Sequence, residues 1–122
     1  MIGYITVGTD NLERSASFYD PLFTSLGANR AMEADDYIAW VNAENAPMFA
    51  IHTPADGQPA TVGNGMMIAL MAKNPAQVDA IYNQAITLGA TDEGKPGPRE
   101  KSGFYVAYFR DLDGNKLNIH CM

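Results

Sequence analysis

One cysteine, Cys121, stands in a chain of 122 residues. No intramolecular disulfide can form, so the fold must rest on its core, and the composition suits a reducing, cytoplasmic setting. Basic residues are also scarce: 8 Lys and Arg face 14 Asp and Glu, a net charge of −6, and no basic stripe runs along the chain. That balance argues against nucleic acid and against anionic membrane surfaces as partners. No apolar run approaches the length of a membrane span. The opening MIGYITVGTD has no basic stretch ahead of an apolar core, so it reads as a first strand and not as a signal peptide. There is no phosphate-cradling glycine loop, since Gly63-Asn64-Gly65 precedes a strand and not a helix, and no Ser-His-Asp arrangement is legible.

What is present is a repeat. Residues 4–28 (YITVGTDNLERSASFYDPLFTSLGA) and 67–90 (MIALMAKNPAQVDAIYNQAITLGA) carry one strand–helix plan twice, matching at Phe18-Tyr19 against Ile81-Tyr82 and at Leu26-Gly27-Ala28 against Leu88-Gly89-Ala90. The first helix counts one residue longer. A spacing of about sixty residues exceeds solenoid repeats and indicates a duplicated half-domain with a pocket between its copies. With 47% hydrophobic residues in 122, the chain forms one domain that buries about two thirds of its unfolded surface.

Residues 2–8 alternate and are rich in β-branched residues, a strand with Tyr4 and Thr6 on one face and Ile5 and Val7 on the other. Thr9-Asp10-Asn11 caps a helix running to about Leu26 and ended by Gly27, with Leu12, Ser15, Ala16, Tyr19 and Phe23 on its inner stripe. Residues 36–41 and 48–53 read as strands, with a short extra one near residues 28–32. The Pro- and Gly-rich residues 54–64 form a linker, dividing modules of about 1–56 and 62–122. In the second module residues 66–72 are a strand, Asn74-Pro75 starts a helix that Gly89 ends, and residues 94–103 (GKPGPREKSG) are a loop. Residues 104–110 and 116–121 close the chain as a hairpin across an Asp-Gly turn.

Asp10-Asn11-Leu12-Glu13-Arg14-Ser15 with Phe18-Tyr19, the Gly63-Asn64-Gly65 entry to the middle strand, and Phe109-Arg110-Asp111-Leu112-Asp113-Gly114-Asn115-Lys116 near the end carry a resemblance. The chain resembles the vicinal oxygen chelate superfamily of glyoxalases, bleomycin-resistance proteins and extradiol dioxygenases. The resemblance implies an α+β fold of two βαβββ modules whose curved mixed sheets surround a cavity, commonly in a homodimer. It also implies a divalent metal chelating two adjacent substrate oxygens. The family's ligand places fall on Tyr4, about Ile51, Met67 and Asn118, none a good donor for a hard or borderline metal. No metal and no other cofactor is therefore expected. His52 reads as packing against a helix unless a slip of one in register turns it inward, and His120 lies two residues beyond Asn118; neither has a carboxylate at the expected places to complete a site.

If Tyr4 marks the inward face, then Thr6, Met67, Ala69, Met71, Lys116, Asn118 and His120 share it. Thioethers beside hydroxyl, amide and imidazole groups suit a small-molecule site, although each Met also serves as ordinary filling between sheets. Arg99, on a proline-stiffened loop before the aromatic strand that holds Tyr105, suits a carboxylate or phosphate clamp or a solvated surface. Trp40, alternating with Ile38, belongs to the core or to the cavity wall, where its indole would stack on a planar ligand. Cys121 reads as inert and helix-facing. The candidate ligand-binding set is Tyr4, Thr6, Trp40, Met67, Met71, Arg99, Tyr105, Asn118 and His120. The functional expectation is a glyoxalase- or bleomycin-resistance-like protein binding a small molecule in a metal-poor cavity. The alternative is a lyase, isomerase or dioxygenase with a displaced metal site, or a metal-independent enzyme using Tyr4 or His120 as acid/base.

Overall fold

The computed structural model describes every residue except Glu100 and Ser102. The elements run β1 (Tyr4–Gly8), α1 (Leu12–Thr24), β2 (Asn29–Glu33), β3 (Tyr37–Val41), β4 (Met48–His52), β5 (Ile68–Met71), α2 (Pro75–Thr87), β6 (Thr91–Arg99), β7 (Phe104–Arg110) and β8 (Lys116–Cys121). The chain divides into two compact units, Met1–Thr61 and Val62–Met122. Each is a βαβββ module with an open, mixed four-stranded sheet, ordered β1-β4-β3-β2 in the first and β5-β8-β7-β6 in the second. In each sheet the helix carries the chain from the first strand to the opposite edge, and a meander of three antiparallel strands returns so that the module's last strand pairs in parallel with its first.

The first unit is built around an aromatic cluster. Asn11 caps α1, its side chain accepting from the Arg14 amide at 2.9 Å. The helix then lays Ser15, Ala16, Phe18, Tyr19, Leu22 and Phe23 on the sheet. Tyr19 and Phe23 each lie 4.9 Å, centroid to centroid, from Phe49, and Phe23 meets Trp40 edge-on at 5.4 Å. Leu12, expected on this stripe, is only half-buried, and Phe18 and Leu22 extend it instead. In the second unit Asn74 caps α2 by accepting from the Gln77 amide at 2.8 Å, and Val78, Ile81, Tyr82 and Ala85 face the sheet.

Three local expectations change. Both helices are 13 residues long; the extra residue of the first copy lies in the turn before Gly27. The strand expected over residues 66–72 is confined to Ile68–Met71, so Met67 precedes it. The stretch expected as a loop from residue 94 is instead paired with β7 as far as Arg99, while Glu100 and Ser102 lie outside the described residues. β6 is an edge strand with register shifts at Asp92/Gly94 and Gly94/Gly97. An edge tolerates Pro96 and Pro98 because only one side of it needs ladder donors, and the shifts absorb the glycines.

Candidate functional site

Strand register decides which side chains face the helix and which face away. In the first sheet Ile38 stands opposite Ile51 and Trp40 opposite Phe49 on the helix side, while Tyr37 pairs with His52 and Ala39 with Ala50 on the other. Tyr4 and Thr6, opposite Met48 and Ala50, belong to that other side and are exposed, Tyr4 at 65%. Ile51 is fully buried on the helix side, so the fourth-strand ligand place does not fall on it. His52 instead faces away from the helix. Its ring stacks on Tyr37, 6.0 Å between centroids and 8° between planes. Its Nδ1 donates to the Thr53 carbonyl and its Nε2 lies 3.6 Å from Asp36. The reading of His52 as packed against a helix is thereby corrected, by the parity of one strand. A cavity of about 310 Å³ opens here, lined by Thr6, Val7, Gly8, His52, Thr53, Pro54 and Ala55. Its last three residues come from the sequence around the linker and carry no chemical signal that a sequence reading would select.

The second sheet repeats the arrangement. Leu117, Ile119 and Cys121 face α2, and Cys121 is buried there as expected. On the other side Asn118 stands between Ala69 and Tyr108, and His120 between Met71 and Val106. Asn118 is 3% exposed. Its Oδ1 lies 3.0 Å from His120 Nδ1, and its amide nitrogen reaches Met67 Sδ at 3.9 Å. The His120 ring lies 5.4 Å from Phe104. Met71 is 79% exposed on this side. Arg99, opposite Phe104 at the end of β6, reaches back over the strand, its guanidinium carbon 5.7 Å from the Tyr108 centroid. Lys116 Nζ lies 5.6 Å from the same centroid. Tyr108 was not singled out in the sequence, although alternation along β7 from Val106 leads to it.

Two candidates leave the ligand set. Trp40 is 2% exposed beneath α1, and its indole N–H donates to Asp20 at 2.9 Å, so it has no free face for stacking. Tyr105 faces α2 and donates to Asp79 at 2.8 Å. That hydrogen bond, aided by desolvation, holds the phenol above its ordinary range, so it stays protonated. Tyr4, Thr6, Met67, Met71, Arg99, Asn118 and His120 all lie on the sheet sides turned away from the helices or at their rims.

The places that the resemblance assigns to metal ligands hold a phenol at Tyr4, a thioether at Met67 and an amide at Asn118, with His52 beside the fourth-strand place as the one good donor among them. Among the described residues no three of His, Cys, Asp and Glu come together as a ligand group. This donor set does not fit a hard or borderline divalent cation.

Among curated proteins none matches the chain. Among solved structures, a glyoxalase/bleomycin resistance protein from Albidiferax ferrireducens is 38% identical, with a TM-score of 0.89 and coverage of 98% of this chain and 97% of that one. A glyoxalase-related enzyme from Fulvimarina pelagi (21% identity, TM-score 0.77, 98% and 86% covered) and a lactoylglutathione lyase from Agrobacterium tumefaciens (21%, 0.72, 98% and 92%) share the fold. The family model of the Glyoxalase/Bleomycin resistance protein/Dioxygenase superfamily matches residues 1–119. With the repeated βαβββ modules and this match over nearly its whole length, the chain belongs to that superfamily.

Proposed function

We propose that this protein binds a small organic molecule on the sheet sides turned away from its helices, without a catalytic divalent metal. The observation that carries the reading is Asn118: a buried amide on the helix-free side of the second sheet, hydrogen-bonded to His120 and set against Met67. A buried polar group that helps no helix dock, flanked by a thioether and an imidazole, is what a ligand surface needs. The cavity beside Thr6 and His52 offers hydroxyl and imidazole groups in the first unit. The protein is read as a cytoplasmic homodimer, from its buried lone thiol, its family, and the exposed Ile2, Tyr4, Met66 and Met71.

The test is an NMR screen of a mixed library of small organic acids, amides and aromatics against the whole protein. Binders are expected to shift the Asn118 side-chain amide. Asn118→Ala and Tyr4→Ala should weaken them while circular dichroism stays unchanged; a library that leaves both sheet surfaces unperturbed rejects the reading.

One observation favours a second reading, a lyase, isomerase or dioxygenase with a displaced metal. His52 and His120 occupy the same register position in their respective units, each at the far end of the strand parallel to the unit's first. Metal analysis of protein purified without chelator decides between them. Stoichiometric metal, with turnover abolished by His52→Ala or His120→Ala, selects the enzyme.

A further inference from the structure

From the second sheet we infer an oxyanion site: Arg99 and Lys116, gathered over the Tyr108 ring, hold the carboxylate or phosphate of a small ligand whose body lies toward Asn118 and His120. This rests on the small-molecule reading and names the class of ligand.

The chain is acidic, at −6, and two of its arginines are neutralised at close range. Arg30 binds Asp20 and Glu33, both at 2.6 Å, and Arg110 binds Glu93 at 2.6 Å. Arg99 and Lys116 differ. Each lies within 6 Å of the same ring centroid, at 5.7 and 5.6 Å, and among the described residues neither forms an ion pair with a carboxylate. The ring quadrupole attracts both, and the two positive charges together draw an anion to this side of the sheet.

The backbone makes room for this placement. A Cβ on Gly97 would stand 3.3 Å from Arg99 Nη1, and one on Gly94 would stand 3.3 Å from Nη2 and 3.0 Å from Tyr108 Cδ2. The guanidinium thus lies against the two glycines of β6. Nη2 donates to the Lys95 carbonyl at 3.1 Å and Nη1 to the Pro98 carbonyl at 3.5 Å, which fixes the fork and leaves three of its five N–H groups for other acceptors. A fixed guanidinium loses less freedom on binding than a solvated one, and pairs with an oxyanion through two parallel donors. Asn118 and His120, on the neighbouring strand and the same side, lie where the rest of the molecule would rest.

The experiment titrates the whole protein with benzoate, phenyl phosphate and neutral benzyl alcohol, following the Asn118 amide and His120 ring signals by NMR. At least one anion is expected to saturate by about 10 mM, and to bind at least about tenfold more tightly than benzyl alcohol. Its affinity should fall as salt rises from about 20 to about 200 mM. The preferred anion identifies carboxylate or phosphate as the group recognised. Arg99→Gln and Lys116→Gln should each cost about tenfold for the anion and leave benzyl alcohol unaffected. Arg99→Lys, which keeps the charge, should recover part of the loss. Equal binding of benzyl alcohol and the anions overturns the oxyanion site and leaves the small-molecule reading standing. Anion affinity indifferent to both Gln variants overturns the site too, as does failure of both anions to saturate.

Discussion

Trp40 and Asp20 show how one polar contact fixes the role of a large side chain. Asp20 accepts from the Trp40 indole and from both Nε and Nη2 of Arg30. The bond from Arg30 is the main cause that holds its carboxyl below the ordinary range, against the opposing effect of burial. Asp20→Ala would strand a buried indole N–H, at a cost of about 1–3 kcal/mol in denaturant unfolding. Trp40→Ala should cost about 3–5 kcal/mol and leave small-molecule binding in the second unit unaltered. Because the Asp20 value is depressed by folding, its contribution is complete above the ordinary aspartate value of 3.8 and is lost as pH falls through the lower folded value. Melting temperatures should therefore decline below about pH 3.8, and Asp20→Asn should flatten that decline. Tyr105 works in the opposite direction. Its value is raised, so its contribution is complete below the ordinary 10.0 and fades above it. Tyr105→Phe should remove part of the alkaline loss without weakening ligand binding.

At the scale of elements, the two helices are close equivalents. Each starts at an extended asparagine whose side chain accepts from the amide three residues on, and each ends ahead of a glycine with positive φ, Gly27 at 77° and Gly89 at 108°. Asn11→Ala and Asn74→Ala should each cost about 1 kcal/mol by chemical denaturation. A much larger loss for one would mean that its cap also serves the site. The glycines differ, because a Cβ on Gly89 would stand 2.9 Å from Leu112 Cδ2, whereas Gly27 has nothing within 4 Å. Gly89→Ala should therefore be the more destabilising of the two in thermal melts, both variants bearing the cost of a left-handed backbone with a side chain. The strand β6 makes the same point about context: its two prolines and two glycines describe a loop in any local reading, and β7 turns them into a sheet edge.

For the whole molecule, the duplication is visible in the register. Tyr4 begins the strand parallel to β4 and Met67 directly precedes the strand parallel to β8, while His52 and His120 share one position. The exposed apolar side chains Ile2, Tyr4, Met66 and Met71 are the basis for expecting a homodimer, with sedimentation equilibrium at about 10–50 µM as its measurement. A monomer throughout that range counts against it. Among the described residues no helix is long and apolar enough to cross a membrane.

The repeat, the helix caps, the terminal hairpin and the family were all legible in the chain itself, because they rest on near-neighbour chemistry: apolar period, an asparagine before a helix, a glycine after it, an Asp-Gly turn. The placement of Tyr4, Thr6, Lys116, Asn118 and His120 on the helix-free sides of their sheets follows from simple alternation within strands whose phase is marked by buried neighbours. Tertiary structure alone decided the rest. His52 and Ile51 differ by one step along a strand, and only pairing with β1 and β3 determines which of them meets the helix. Trp40 and Tyr105 have surfaces suited to ligands, yet Asp20 and Asp79 on the helices engage their polar ends. The convergence of Arg99 and Lys116 on Tyr108 joins three strands, and no local pattern in a sequence encodes a distance between residues brought together only by sheet pairing.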